Sequence, residues 1–260
     1  KPGGTLKIDT QRGSIEVVAE TSNTVEIEII REVKTSSKEE AQKVLAKFPI
    51  EFDQRGNNIF ITAESEERGL SKIWNDLFKK LRIKYIISVP TRYNVNLDTS
   101  GGSISVDGLE GRAVTKTSGG SLHFENIEGD IDGKTSGGSI TIEHAQGDVD
   151  VHTSGGGITV HEVMGTIKAH TSGGSIKAYI SEQPRADCSL TTSGGSITVY
   201  MAEDTSVDVI AKTSGGSVST DFPVTLRGEI KRDRLEAKIN DGGPQLNLET
   251  SGGSIRIKQK

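Results

Sequence analysis

The sequence predicts an all-β fold: a parallel β-solenoid (β-helix) of two-strand coils, each roughly 18 residues long, with a small α/β insertion near the N-terminus. Three observations carry that expectation. The motif Thr-Ser-Gly-Gly-Ser-Ile, or five of its six letters, begins at Thr99, Thr117, Thr135, Thr153, Thr171, Thr192, Thr213 and Thr250. The spacings are 18 residues four times, 21 twice, and 37 at the end. Residues flanking each motif alternate apolar and polar, the period-2 signature of a half-buried strand.

Taken in chain order, Thr10-Gln11-Arg12-Gly13-Ser14-Ile15 reads as a worn first copy, preceded by Leu6 and Ile8 in strand phase. Residues 16–94 break the period. They hold strand-like runs at Val25–Ile29, Ile59–Ala63 and Lys84–Val89. A helix is expected after Ser37-Lys38-Glu39-Glu40, a capping box, with Ala41, Val44, Leu45 and Phe48 at helical spacing and Pro49 as the stop. A second is expected over Leu70–Leu81, with Leu70, Trp74, Leu77 and Leu81 on one face. The resulting division is 1–34 as N-terminal solenoid strands, 35–91 as an α/β insertion or cap, and 92–260 as the repeats, all in one continuous domain.

Within the repeats, the fifth residue after each Thr is Ile104, Leu122, Ile140, Ile158, Ile176, Ile197, Val218 or Ile255, and the seventh is mostly apolar again. The fourth and second residues before each Thr form another strand in the same phase, for example Val95 and Leu97, or Val149 and Val151. Thr-Ser-Gly-Gly is then a corner joining one coil to the next. Its glycines are Gly101 and Gly102, Gly119 and Gly120, Gly137 and Gly138, Gly155 and Gly156, Gly173 and Gly174, Gly194 and Gly195, Gly215 and Gly216, and Gly252 and Gly253. Gly111, Gly129, Gly147 and Gly165 mark the opposite corner. Glycine is expected at both because it takes positive φ without a Cβ clash. About nine coils make a rod on the order of 40 Å long. One degenerate coil is expected inside the 37-residue gap, and the closing TSGGSIRIKQK on an uncapped end of the rod. There Arg256, Lys258 and Lys260 would blunt the open edge, or the edge would pair with another copy head to tail.

Composition removes several function classes. A net charge of −5 argues against a general nucleic-acid binder, and 4% aromatics leave little for base or sugar stacking. Cys188 is the only cysteine, so an intrachain disulfide and a CxxC pair are impossible. No run of 18 apolar residues is present to span a membrane. The chain starts at Lys1 rather than Met, as a chain from which a signal peptide or anchor was removed, or a trimmed one, would.

The glycine pairs do not form a phosphate loop, because Ser-Ile and a strand follow them instead of Lys and a helix. Calcium-binding β-rolls use GGxGxD turns, but here the sixth residue after the Thr is Ser, His, Thr, Lys or Arg, never the Asp a hard cation needs. His152 and His170 each precede a motif Thr and should stack in adjacent coils, which makes them the metal candidates. Their column also holds Asp98, Lys116, Lys134, Thr191, Lys212 and Glu249, the mixture of a solvated face. Cys188 falls in an inward column and reads as a small buried hydrophobe. Tyr179 and Tyr200 share an outward column and are expected to stack as a ladder, with sugar contact as the sharper alternative. No catalytic residues and no cofactor site emerge.

The TSGGSI repeats, the opening GGTLKIDTQRGSIEV and the close GGPQLNLETSGGSIRIK resemble the bacterial putative-adhesin domain family, a β-strand-repeat family of unknown function. The resemblance covers nearly the whole chain, residues 35–90 being the least typical. It implies a parallel β-solenoid, an extracytoplasmic or envelope setting, and no established enzymatic activity. The expected function is a non-enzymatic cell-envelope or extracellular scaffold with an adhesive or structural role. The alternatives are a self-assembling filament subunit, stacked end to end, and a metal- or glycan-binding module. Expected partners are proteins or surfaces, including copies of itself, with no nucleic acid.

Overall fold

A computed structural model describes residues 2–64, 79–226 and 231–260. In chain order the strands are β1 (Thr5–Thr10), β2 (Ser14–Glu20) and β3 (Glu26–Val33), then helix α1 (Lys38–Ala46), then β4 (Glu51–Arg55), β5 (Asn58–Ala63) and β6 (Leu81–Pro90). The repeats follow as β7 (Asn94–Thr99), β8 (Ile104–Asp107), β9 (Ala113–Thr117), β10 (Leu122–Ile127), β11 (Ile131–Thr135), β12 (Ile140–Ala145), β13 (Val149–Thr153) and β14 (Ile158–Val163). They continue as β15 (Ile167–Thr171), β16 (Ile176–Ile180), β17 (Cys188–Thr192), β18 (Ile197–Met201), β19 (Val207–Thr213) and β20 (Val218–Thr220). The chain closes with β21 (Val224–Leu226), β22 (Arg234–Ile239), β23 (Gln245–Thr250) and β24 (Ile255–Gln259).

Each coil sends its pre-motif strand into one sheet and its post-motif strand into the other. The first sheet runs β21-β22-β19-β23-β17-β15-β13-β11-β9-β7-β1-β5-β4 and the second β20-β24-β18-β16-β14-β12-β10-β8-β2-β6-β3. Setting aside β4, β21 and β22 in the first and β3 in the second leaves ten parallel strands per sheet, hence ten stacked layers. At roughly 4.8 Å per layer the stack is about 45 Å long. Inward columns such as Ile104, Leu122, Ile140, Ile158, Ile176 and Ile197 meet between the sheets and are buried. Sizes complement each other across the core. A Cβ on Gly133 would lie 3.2 Å from Phe124 and from Leu122, so the glycine leaves room for the ring.

The expected helix is present, with Ser37 as N-cap accepting from the Glu40 N–H at 3.2 Å. Residues 70–78 of the second expected helix lie outside the described residues; Lys79 and Lys80 are helical and Leu81 begins β6. Within residues 16–94, β3 pairs antiparallel with β6, and β5 and β6 form a true layer of the stack because they pair parallel with β1 and β2. β4 then closes the first sheet antiparallel to β5.

The C-terminal expectation is overturned. The closing repeat is not at the end of the rod: β23 lies between β17 and β19, and β24 between β18 and β20. The motif threonines stay in register through this exchange, with Thr192 opposite Thr250 and Thr250 opposite Thr213. Among the described residues of the 37-residue gap there is no further parallel coil. The gap's strand β22 turns back antiparallel onto β19, β21 pairs antiparallel with β22, and together they cap the first sheet. The N-terminal strand is placed the same way, between β5 and β7. A strand near a chain end thus gains ladder bonds on both sides instead of one.

The corner glycines also need a different explanation. Among the described glycines, positive φ occurs at Gly3, Gly13, Gly56, Gly108, Gly242 and Gly243, and at none of the Thr-Ser-Gly-Gly pairs. The second glycine is required by close approach between layers: a Cβ on Gly138 would sit 2.0 Å from the Gly120 carbonyl oxygen. The first glycine has more room: a Cβ on Gly137 would find nothing nearer than 3.4 Å, although on Gly215 and Gly252 it would lie 3.0 Å from a carbonyl oxygen of the adjacent layer.

Candidate functional site

The motif threonine, which sequence reasoning treated as a corner residue, is buried in every repeat. All eight hydroxyls donate to the carbonyl of the second glycine, or of Gly13, in the adjacent layer, at 2.6–3.0 Å. In six coils the same oxygen accepts the N–H of its own second glycine at 3.1–3.3 Å. The following serine extends the pattern, its Oγ accepting the serine N–H of the next layer, as Ser103 does from Ser121 at 3.1 Å. At the opposite corner, side-chain oxygens of Asn94, Asp130, Asp148 and Asp187 accept N–H groups of the next layer at 2.7–3.1 Å. The Thr166 N–H holds the Asp148 carboxyl below its ordinary range. The glycine-rich motif is therefore occupied with its own neighbours, and its polar groups face the stack rather than a ligand.

His152 and His170 stack as expected, 4.7 Å apart with planes 7° from parallel. A metal ion lies near the plane of each imidazole that ligates it, and two nearly parallel planes this far apart have no such point in common. Among the described residues no three His, Cys, Asp or Glu side chains cluster as ligands. Burial is the main cause that lowers the His152 pKa, followed by the positive charge of His170 and then Lys134. Tyr179 and Tyr200 also stack, at 4.7 Å, and His161 extends the ladder at 4.2 Å from Tyr179. Lys258 sits over Tyr200 at 5.9 Å. These rings cover one another's faces and turn their edges outward, whereas stacking on a sugar needs an open face. Cys188 is buried, and that burial raises its thiol pKa.

Among the described residues, a concavity lies on a lateral corner that sequence reasoning passed over. Gly108, Asn126, His144 and Glu162 each stand nine residues after a motif Thr, and all four have positive φ, between 52° and 74°. The kink inserts one extra outward residue, so that Ile127 and Ala145 turn back into the core. Left-handed backbone at His or Glu is unusual, and residues held this way concentrate at functional sites. In three successive coils the kinks build a cleft of about 520 Å³. Ile127, Ala145, Val163 and Met164 supply its apolar lining, and Glu128, Gln146, Glu162 and Glu182 supply polar groups. The cleft falls where the coil length changes from 18 to 21 residues, after Thr171, which is the one signal in the sequence that marks it.

A polar chain crosses the mouth. His144 Nδ1 is 2.9 Å from Glu162 Oε2, Lys260 Nζ is 3.7 Å from Glu162 Oε1, and Lys260 Nζ donates to Ser181 Oγ at 2.7 Å. A Ser-Lys pair in a cleft invites comparison with a hydrolase. A lysine base, however, must be desolvated and must accept the serine proton. Lys260 is 48% exposed, faces a carboxylate and donates to the serine, so the arrangement serves to hold an ammonium group.

A capped, two-sheet parallel β-solenoid with a small lateral cleft is the class these features define. The chain belongs to the family described as Toastrack DUF4097, whose model matches residues 4–258. Similar solved structures include a putative adhesin from Bacteroides fragilis NCTC 9343, at 15% identity over 98% of this chain and 91% of that one, with a TM-score of 0.48. Another is a putative cell adhesion protein from Clostridium sporogenes ATCC 15579, at 14% identity over 99% and 92% of the two chains, with a TM-score of 0.28. No curated protein matches the chain. Among the described residues no helix is long and apolar enough to cross a membrane.

Proposed function

We propose that the protein is a non-enzymatic, extracytoplasmic scaffold that adheres to a partner protein or surface through its side, with the lateral cleft as the contact point. The observation that carries this reading is the capping of both ends. The rod ends in β3, whose outer face carries Glu26, Glu28 and Glu32, in β4 with five exposed residues, and in β20 and β21 with three residues each. Short or charged edge strands discourage pairing with further strands. That leaves the lateral surfaces for recognition. The envelope or cell-surface setting is the one the family resemblance implies.

End-to-end assembly remains the second reading because of one observation. Phe52 and Ile30 at one end and Leu226 at the other are exposed large hydrophobics. The adhesive reading is tested with beads coated with the full chain and presented to bacterial envelope fragments and to cultured cell layers. Retention that drops when Met164→Arg fills the cleft is the expected result. Retention no greater than that of uncoated beads would remove the proposal.

A further inference from the structure

Resting on the reading of the lateral cleft as a binding surface, we infer that its ligand is an alkylammonium group: an aliphatic chain ending in a protonated amine. The aliphatic part lies along Val163 and Met164, and the amine meets Glu162, Glu182 and Ser181.

The chemistry follows from what lines the space. Val163 and Met164 are half-buried, so each still has apolar surface to lose to a ligand. Met adapts its shape to irregular partners. Around this floor stand three carboxylates, Glu128, Glu162 and Glu182. Glu162 is engaged by His144 and Lys260, while the carboxylates of Glu128 and Glu182 make no hydrogen bond or ion pair among the described residues. One ammonium against three carboxylates leaves the cleft electrostatically unmatched to an anion and matched to a cation.

An ammonium seat is already built. Lys260 reaches past its own strand end to place Nζ 2.7 Å from Ser181 Oγ and 3.7 Å from Glu162 Oε1, on side chains that line the cleft. The chain thus shows in cis the contacts an incoming amine would make, and Lys260 is the group with which that amine would compete. The cleft volume of about 520 Å³ suits a small ligand or a single long side chain. A free aliphatic diamine and the lysine side chain of a peptide share this chemistry.

The test is titration calorimetry on the full chain with two probes, 1,5-diaminopentane and Nα-acetyl-lysine methylamide. Both should bind, and whichever binds tighter identifies the source. Glu182→Gln should weaken binding about tenfold, Lys260→Ala should tighten it by vacating the seat, and Glu125→Gln, outside the cleft, should leave it unchanged. Circular dichroism would verify that each variant folds. No binding of either amine at millimolar concentration, equal binding by Glu182→Gln, or no gain from Lys260→Ala would each overturn the inference. If amines fail to bind while Met164→Arg still abolishes bead retention, the ligand assignment falls and the adhesive reading stands. If retention itself is absent, the adhesive reading falls.

Discussion

Two residues of one dipeptide should behave very differently. Gly138 faces the carbonyl of Gly120 so closely that any Cβ forces adjacent layers apart, whereas Gly137 has ordinary van der Waals room. Gly138→Ala should cost at least about 2 kcal/mol, and Gly137→Ala less than about 0.5, in urea unfolding. Equal costs would place the requirement elsewhere than in layer contact. Threonines divide in the same way. The Thr135 hydroxyl donates to Gly120 and accepts from Gly138, so Thr135→Val leaves two backbone groups short of a partner and should cost about 1–3 kcal/mol. The Thr115 hydroxyl is buried in the core without a partner. Thr115→Val keeps its shape and removes the buried polar atom, so it should raise stability by about 1 kcal/mol, and a loss would point to a bound water at that oxygen. From the letters alone both threonines sit before glycine-rich corners. Only the stacking separates the one that is bonded from the one that is not.

On the strands, the stacked pair on β13 and β15 gives a pH signature. Burial, helped by His170 and Lys134, lowers the folded-state pKa of His152 below the ordinary 6.5. The unfolded chain then binds that proton more readily. The contribution of this site is therefore complete above pH 6.5 and declines as pH falls below it. His152→Gln should flatten the fall of the melting temperature between about pH 6.5 and 5, and an unchanged slope would assign it to other groups. The strands themselves were legible because period-2 alternation and the spacing of the motif fix phase, face and register together: Ile104 and Ile140 are buried where the pattern placed them, and the His152–His170 and Tyr179–Tyr200 ladders form. The cleft was marked only by the change in coil length after Thr171. Its kink places Asn126, His144 and Glu162 where simple alternation expects inward residues, and only left-handed φ at those positions restores Ile127 and Ala145 to the core.

Across the whole molecule, the order of layers departs from the order of the chain, and no local pattern encodes that departure. Every motif shares at least five of the six letters, so the sequence does not state which neighbour Thr250 will choose. In the fold, β22 pairs with one side of β19 and β23 with the other. The same capping predicts that the protein sediments as a single species near 27.8 kDa across concentrations, and concentration-dependent polymers would restore the end-to-end reading. Intercalation also has a thermodynamic consequence. A terminal repeat at the tip of a solenoid can be removed at the expense of one interface, because stability is close to a sum of nearest-neighbour terms. β23 and β24 instead join two layers, so deleting residues 244–260 removes both of their interfaces and separates β19 and β20 from β17 and β18. Hydrogen exchange should then show protection lost not only from the deleted neighbours but throughout β19 and β22, while β9 to β14 keep theirs. Protection retained in β19 and β22 would mean that these strands dock directly onto β17, and that the closing repeat adds to the stack without bridging it.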